Sequence, residues 1–429
     1  MDEAQVAGGV AGIAGMPRVV VAGGGHGAHV LVATLALRTS LEVVWYLPYR
    51  DEADRVMRAM AGSPGGLTVV SSAGECMVDR GRVVVTRDPR MASSAMAVLL
   101  VAPAFAHESL LEGLSPWLSP GTMVGAIPAR GGFEYQVKEL AGRVPGMVAF
   151  GLQTLPWACR LEVYGCRVRV LGAKARVLLG SRPQAAAPRV ASILSAWLGV
   201  PVVAGGGLTA MTLANTGQIL HPGLMYVHIR RLGDRALAAQ EVPLFYQEAG
   251  EEGAALLASM SAEVMELRDA LARAFGGLLD LGGVVDVYTW LKDAYVGQID
   301  DQSSLLQALA SNRAYRGIRL PVVEVAEGRY RPDLNSRYLT EDVPFGLVVT
   351  RGLAELAGVA TPVIDGVLTE VGAWMGVVWL REGRLSPEGV ARSRAPQRYG
   401  VKTLAEALAG EFEPIAGKLE PDVREAVGR

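Results

Sequence analysis

The sequence has 429 residues, half of them hydrophobic and a fifth charged, with a formal net charge of -2. This length exceeds what one hydrophobic core usually supports, so we expect two or three domains in a globular protein. The balanced charge argues against a nucleic-acid partner, and no segment has the roughly 20 unbroken apolar residues that span a bilayer. We therefore expect neither nucleic acid nor membrane as a partner.

The three cysteines, Cys76, Cys159 and Cys166, are scattered and form no CxxC pair. This usage is typical of a reducing compartment and argues against a structural zinc, so we expect a cytoplasmic protein without a metal site. The chain starts with Met-Asp-Glu, and glycines break its first apolar run, unlike a secretory signal. Residues 1–16 are predicted to be a loose leader before a first strand at Arg18–Ala22.

From residue 18, short runs of Val, Ile and Leu alternate with helical stretches. "RVVVA" leads into a glycine turn and a helix to about Arg38, and "LEVVWYL" precedes a charged helix. The later runs are "RVVVT", "AMAVLLVAP", "TMVGAIP" and "GMVAFGL". Continuous apolar strands separated by helices are typical of a parallel sheet covered on both faces. The predicted fold is α/β, a Rossmann-type doubly wound parallel sheet over residues 17–204.

The pattern changes after three consecutive glycines, Gly205, Gly206 and Gly207. From Leu208 the chain contains long helical stretches such as "EEGAALLASMSAEVMELRDALARAF" and few strand signals. We predict an all-helical second domain over residues 208–429, with the glycines as a flexible joint. A cleft between two domains is a frequent location for a ligand site.

The stretch "VVVAGGGHGAHVLV" places Gly23, Gly25 and Ala28 in G-x-G-x-x-G/A spacing between a strand and a helix. The first glycine permits a tight turn, the second lets the backbone approach a pyrophosphate, and the small third residue packs the helix on the sheet. The helix N-terminus attracts phosphate charge. A purely structural turn is the alternative. The predicted cofactor-binding residues are Gly23, Gly24, Gly25, His26, Gly27, Ala28 and Arg50.

The choice of dinucleotide stays open. An acid at the end of the second strand would bind the ribose hydroxyls of NAD, whereas an arginine suits the extra phosphate of NADP. Here the strand ends "WYLPYRDEA", with no acid before Asp51 and with Arg50 available. We therefore expect less discrimination against NADPH than a strand-end aspartate would give.

A histidine precedes a proline in "NTGQILHPGLMYVHI". Proline disfavours the α conformation of the residue before it and suits the first position of a helix. We predict that one helix, through Met211 and Ile219, ends at His221 and that another begins at Pro222. His221 would then face a cleft at the break, and the alternative is a core or surface histidine that happens to precede a proline.

Several stretches together resemble the octopine/nopaline dehydrogenase family, and its invertebrate opine dehydrogenases most. They occur in the family's order: "GGGHGAH", "PAFAHE", "GGFEYQ", "QTLPWACRLEVYG", "VRVLGAK", "HPG", "PLFYQ", "DVYTW", "RYLTEDVPFG" and "PQRYG". The resemblance runs from about residue 18 to about residue 410. It implies condensation of an amino acid with a 2-oxo acid, usually pyruvate, and reduction of the imine with NADH or NADPH, with NAD(H) slightly preferred.

The resemblance also implies three catalytic residues. His221 would be the acid/base, because an imidazole exchanges protons near neutral pH. Asp342 would orient it, since a carboxylate at a helix N-terminus stays ionised. Arg337 would anchor a substrate carboxylate with its planar fork. Without the resemblance, Asp342 is a plain N-cap and Arg337 a surface ion pair.

The substrate-binding residues implied by the resemblance are Arg130, Gln153, Thr154, Cys159, Trp290 and Arg337. By itself Trp290 would be assigned to the core. Relatives in the family carry Gln in place of Arg130 and Glu in place of Gln153. Because a positive Arg130 would repel a cationic side chain, we expect short neutral or acidic amines to be used better than arginine or lysine.

The sequence thus predicts an NAD(P)-dependent opine dehydrogenase whose partners are small molecules and which is a monomer or a homodimer. One alternative is a simple 2-oxo acid or ketone reductase of the same two-domain plan. Another is a nucleotide-sensing protein without catalysis, against which the combination of His221, Arg337 and Asp342 argues.

Overall fold

The computed structural model describes residues 17–412, so the predicted leader at 1–16 and the end of the predicted second domain, 413–429, lie outside the described residues. Strands dominate the first half of this range. The strands up to residue 207 are β1 (Arg18–Ala22), β2 (Glu42–Tyr46), β3 (Leu67–Ser71), β4 (Gly74–Val78), β5 (Val83–Thr86), β6 (Ala95–Leu100), β7 (Met123–Ala126), β8 (Val148–Leu152), β9 (Trp157–Val163), β10 (Arg167–Ala173), β11 (Val177–Arg182) and β12 (Val202–Gly207).

Eight of these strands form one sheet in the order β12-β11-β8-β7-β6-β1-β2-β5. All neighbours pair in parallel except β8 and β11, which are antiparallel. The helices of this half are α1 (His26–Arg38), α2 (Glu52–Gly62), α3 (His107–Leu114), α4 (Phe133–Gln136), α5 (Lys138–Arg143) and α6 (Ala187–Leu198).

Alternation along β1 shows that both faces of the sheet are covered. Val19 and Val21 belong to the core that includes α1, α2 and α6. Val20 and Ala22 belong to a second core, with α3 and α5. All four residues are fully buried, which explains the uninterrupted apolar run. The predicted doubly wound sheet is confirmed, and β1 has the predicted bounds.

A second, four-stranded sheet in the order β4-β3-β10-β9 was missed by the sequence analysis. Strands β9 and β10 pack against α1, and β10 pairs in parallel with β3. Half-exposed strands such as β10, with alternating Arg and Val, carry a weaker apolar signal than the buried strands. This sheet places β9 beside the start of α1.

The second half is mostly helical, as predicted. Its helices are α7 (Leu208–Leu213), α8 (Gly217–Leu232), α9 (Gly250–Ala274), α10 (Val287–Ala294), α11 (Leu305–Ser311), α12 (Arg337–Thr340), α13 (Val348–Ala357), α14 (Pro362–Met375), α15 (Pro387–Ala391) and α16 (Leu404–Leu408). Two short antiparallel hairpins interrupt them: β13 (Val322–Ala326) with β14 (Arg329–Pro332), and β15 (Leu380–Arg381) with β16 (Arg384–Leu385). Among residues 17–412, no helix combines the length and apolar character that crossing a membrane requires.

Two details of the predicted chain path are wrong. Gly205, Gly206 and Gly207 are the buried end of β12 and not a flexible joint, because the sheet holds them. The helix break lies at residues 214–216, and His221 and Pro222 are both inside α8. A proline within a helix removes one backbone hydrogen bond, and the burial of Leu220, Leu224 and Met225 in the helical core offsets that loss.

Candidate active site

The glycine loop follows β1 and makes a close approach to the neighbouring strand. Gly23 has φ +129°, and a Cβ there would lie 2.3 Å from the carbonyl oxygen of Val101, so no larger residue fits. Gly25 precedes α1 in an extended conformation, and a Cβ on it would meet nothing within 4 Å. The loop thus leaves open space in front of the first N–H groups of α1, a geometry that suits phosphate oxygens.

Two buried side chains that the sequence analysis did not select hold this loop. His29 hydrogen bonds through Nδ1 to the carbonyl oxygen of Gly25 at 2.9 Å, and its Nε2 accepts the N–H of Gly165 at 3.0 Å. Burial lowers the pKa of His29 to about 4, so the ring is neutral and donates from Nδ1. The indole of Trp45 donates to the carbonyl oxygen of Gly23 at 2.8 Å. In the sequence, the four-residue spacing of Gly25 and His29, one helical turn, is the signal that could have indicated this contact.

The chain after β2 carries Arg50, which is predicted to bind the cofactor, and Glu52, which the sequence did not single out. Arg50 is exposed in a turn with φ +45°. Glu52, at the start of α2, is half-buried instead, and its Oε1 would lie 3.0 Å from a Cβ built on Gly24. Glu52 is therefore an acid beside the glycine loop. It lies six residues after the end of β2, where an acid that binds the ribose hydroxyls of NAD is expected.

Three connected cavities extend from the glycine loop along the carboxyl ends of the parallel strands. We call them, in order of distance from the glycine loop, the loop chamber, the central chamber and the outer chamber. The loop chamber is lined by residues that include Gly25, His26, Gly27, Pro128, Leu155, Cys159, Arg160 and Arg337. The central chamber is lined by residues that include Arg130, Gln153, Thr154, Lys174, His221, Tyr246, Trp290 and Arg337. The outer chamber shares Gln153, Thr154, Lys174 and Trp290 with it and continues to Arg176, Asp280 and Asp293.

His221, on α8, is held on three sides in the central chamber. Its Nδ1 lies 2.8 Å from Oδ2 of Asp342, and its Nε2 lies 3.0 Å from the hydroxyl of Tyr246. The ring stacks on Tyr338 with centroids 4.0 Å apart. An ionised carboxylate only accepts, so Nδ1 carries a proton and Nε2 is the nitrogen free to exchange one.

Asp342 directs its carboxylate to His221 and not to the helix that follows it. The residue precedes a π-helical turn, Val343–Leu347, yet its side chain makes no capping hydrogen bond. Its Oδ1 lies 2.7 Å from Nη1 of Arg130. Burial alone would raise the pKa of Asp342, but the charge of Arg130 and the contact with His221 leave this pKa below its usual value. Asp342 is therefore ionised at neutral pH.

Arg130 reaches the chamber from the loop after β7, with φ +59°. Besides its contact with Asp342, its Nε lies 3.5 Å from Oε1 of Glu341. Two carboxylates thus lie beside its guanidinium, and Asp342 makes the shorter contact. The expectation that Arg130 repels a cationic amine rested on its positive charge, and these acidic neighbours weaken that argument.

Arg337, on α12, lines both the loop chamber and the central chamber. Its Nε donates to Oε2 of Glu341 at 2.6 Å, and its side chain is 60% exposed. Glu341 also accepts the backbone N–H of Ala104 through Oε1 at 3.1 Å. The segment 337–342 therefore supplies Arg337 to the cavity lining, and its buried carboxylates, Glu341 and Asp342, contact the lining residues Arg337 and His221.

The other predicted substrate residues fall into two groups. Gln153, Thr154 and Trp290 line the central and outer chambers, and Gln153 Nε2 donates to the carbonyl oxygen of Ala214 at 2.6 Å. Cys159 lies in the loop chamber instead, because β9 packs beside α1. Burial raises the pKa of its thiol to about 11, which leaves it protonated.

Tyr246, Tyr338 and Lys174 also belong to the site, although the sequence did not single them out. Tyr246 lies in "PLFYQ", Lys174 in "VRVLGAK" and Tyr338 in "RYLTEDVPFG". These three stretches are among those that resemble the family. Tyr246 is buried and stacks on Tyr315, with centroids 3.9 Å apart. Only the fold reveals that Tyr246 and Tyr338 contact His221 and that Lys174 lines the same chamber.

Comparison with known proteins places this site in a family. The family model for the NAD/NADP octopine/nopaline dehydrogenase alpha-helical domain matches residues 205–375. The chain is 34% identical over 409 residues to the octopine dehydrogenase of Mizuhopecten yessoensis, covering 92% of this chain and 99% of the relative. It is 32% identical over 398 residues to the tauropine dehydrogenase of Arabella iricolor, covering 91% and 99%.

Solved structures of similar proteins support the same family assignment. An octopine dehydrogenase in complex with NADH and L-arginine matches with a TM-score of 0.82 and 31% identity, over 93% of this chain and 98% of that one. A ketopantoate reductase from Ralstonia eutropha matches with a TM-score of 0.52 at 17% identity, a likeness of fold alone. On the strength of the relatives that match over nearly their whole length, the chain belongs to the octopine/nopaline dehydrogenase family.

Proposed function

We propose that the protein is an NAD(P)H-dependent opine dehydrogenase, which condenses an amino acid with a 2-oxo acid such as pyruvate and reduces the resulting imine. The observation that carries the proposal is the 2.8 Å contact of His221 with Asp342 in a cavity continuous with the glycine loop. Relatives named octopine, opine and tauropine dehydrogenase support it. Solved octopine dehydrogenases hold NADH with arginine, agmatine or pyruvate.

The glycine loop fits a dinucleotide. Gly23 and Gly25 leave the backbone open in front of α1, and Gly24, His26, Gly27 and Ala28 complete the loop around its N-terminus. A bound nicotinamide dinucleotide supplies the hydride. NAD(H) and NADP(H) are both compatible with the family, whose solved members include an NADH complex and an NADP+ complex. We prefer NAD(H), because Glu52 and not Arg50 lies against Gly24.

His221 is the proposed acid/base. With Nδ1–H held by Asp342, its Nε2 moves a proton to or from the oxygen and nitrogen that condense. Tyr246, within 3.0 Å of Nε2, fixes the direction of that nitrogen. Asp342 stays ionised and stabilises the ring when it is positive.

Arg337 is the proposed anchor for the carboxylate of the 2-oxo acid. It lies between the loop chamber and the central chamber, and its guanidinium retains donors besides those facing Glu341. Trp290, Thr154 and Gln153 are proposed to contact the amine substrate in the central and outer chambers. The reaction takes place in the cleft between the proposed domains, 17–204 and 208–429.

An amine-dependence assay tests the function. Purified protein is given pyruvate and NADH, with and without each amino acid of a panel, and oxidation of NADH is followed by absorbance. We expect turnover to require an amino acid. Equal turnover without any amine would support a simple 2-oxo acid or ketone reductase, and binding of NADH without turnover would support a nucleotide sensor.

We also propose that the enzyme acts in the cytoplasm. Its three cysteines, Cys76, Cys159 and Cys166, are all unpaired, which is typical of a reducing compartment. A monomer or a homodimer stays our prediction for its assembly, to be measured by analytical ultracentrifugation.

A further inference from the structure

The charges next to His221 pair with one another before any substrate arrives. Arg130 contacts Asp342 at 2.7 Å, and Arg337 donates to Glu341 at 2.6 Å. Two positive and two negative groups thus compensate each other. An opine carries two acid groups, one from each substrate, so a site that binds it needs positive charge beyond this cluster.

Lys174 is placed where such a charge is needed. It follows β10 and is held by its backbone N–H, which donates to the carbonyl oxygen of Pro156 at 2.9 Å. Its half-buried side chain lines the central and the outer chamber, together with Trp290 and Thr154.

The ammonium group of Lys174 has no acidic partner within residues 17–412. Arg176, the other cation of the outer chamber, contacts Asp293 at 3.4 Å, and Asp280 is exposed at the far end. Burial without a partner lowers the pKa of Lys174, which means that the site penalises its positive charge. An anionic ligand would remove that penalty.

We propose that Lys174 binds the acid group of the amine substrate, a carboxylate or a sulfonate. This inference rests on the proposed function. Hydride reaches the carbon that came from the 2-oxo acid, so this carbon and its carboxylate lie toward the loop chamber, which Arg337 lines. The amine then points to the opposite end of the central chamber. Lys174 stands at that end, beside Trp290.

The test compares amines with and without an acid group. Lys174→Met is assayed with pyruvate and NADH and two amine pairs, arginine with agmatine and alanine with ethylamine. Loss of a charge-assisted hydrogen bond is expected to raise the KM for the amino acid about 10- to 100-fold. The KM for its decarboxylated partner and the KM for pyruvate should change less than threefold. Lys174→Arg should restore part of the loss, because it keeps the charge.

Controls separate this inference from the proposed function and from misfolding. Lys138→Met removes an exposed lysine on α5 and should match the wild type. An unchanged Tm and NADH affinity show that Lys174→Met is folded. Amine-dependent turnover of the wild type tests the proposed function, and its absence would overturn both. If the wild type is active, the inference is overturned by an unchanged KM, by an equal rise for both members of a pair, or by a rise for pyruvate alone.

Discussion

At the scale of single residues, the orientation of His221 is determined by neighbours far away in sequence. Asp342 fixes one ring nitrogen, Tyr246 the other, and Tyr338 stacks on the ring. The carboxylate that orients the ring is itself held by Arg130. Such a chain of contacts leaves a base little rotational freedom and keeps Nε2 directed into the cavity.

Replacement of the ring tests its chemical role. His221→Asn keeps a hydrogen-bonding group on α8 but removes the imidazole that is proposed to move the proton. We expect kcat to fall on the order of 10²-fold or more. NADH affinity should change little, since the glycine loop is formed by other residues. The measurement is kcat at saturating substrates over pH 6 to 9, with NADH binding followed by fluorescence. Near-normal turnover throughout that range would remove His221 from the mechanism.

At the scale of elements, α12 and the residues after it place Arg337 in the cavity lining and two buried carboxylates in contact with lining residues. Arg337 and Glu341 are four residues apart and form an ion pair, and Asp342 faces His221. Arg337 begins α12, and Glu341 and Asp342 lie between the end of that helix and the π-helical turn Val343–Leu347. These three residues are the first and the last two of the motif "RYLTED".

The fork of Arg337 has a geometry that lysine lacks. Arg337→Lys keeps the charge but loses paired donation to a carboxylate, so binding of the 2-oxo acid should weaken by roughly 1.5–3 kcal/mol. This is measured as a rise in the KM for pyruvate at saturating amine. Arg392→Lys is the matched control, since Arg392 forms an ion pair with Glu388 that is likewise four residues away. An unchanged KM for pyruvate and for the amine would reduce Arg337 to a structural ion pair.

We expect the connection from β2 to α2 to influence the choice of cofactor. The expectation of weak discrimination relied on the absence of an acid before Asp51, but the structure brings Glu52 against Gly24. A carboxylate near the adenosine side would repel the extra phosphate of NADPH. We therefore expect Glu52→Gln to lower the ratio of kcat/KM for NADH to that for NADPH by about tenfold. Asp54→Asn, whose carboxylate faces Arg87, should leave the ratio unchanged, and an equal effect of both variants would contradict the role of Glu52.

At the scale of the whole molecule, the sequence predicts those features that depend on residues close together in the chain. The first strand, the glycine loop and α1 were predicted because each has its own periodicity and turn residues. The break expected at Pro222 was wrong because packing of α8 outweighs the preference of one residue. The pairing of Arg130 with Asp342 could not be predicted, since it joins positions 212 residues apart and depends on how the two halves pack.

The packing of the two halves also buries an acid, which makes stability depend on pH. Glu134 is fully buried and accepts a hydrogen bond from Thr212 at 2.9 Å. Burial, together with the charge of the buried Glu411, raises the pKa of Glu134 from 4.5 to about 7, although Thr212 and Arg182 oppose the rise. Between these two pH values the folded state binds the proton more tightly than the unfolded state does. Stability therefore falls as pH increases from about 4.5 to about 7.

Glu134→Gln removes this titration while keeping a side chain of the same size that accepts from Thr212. The stability lost by the wild type across that range is at most about 3 kcal/mol for this group. The difference in Tm, variant minus wild type, should accordingly be several degrees more positive at pH 8 than at pH 5. Glu112→Gln, at an exposed position of α3, is the matched control and should show no such change. An equal Tm difference at both pH values would mean that Glu134 is already ionised in the folded protein at pH 5, with Arg182 holding its charge.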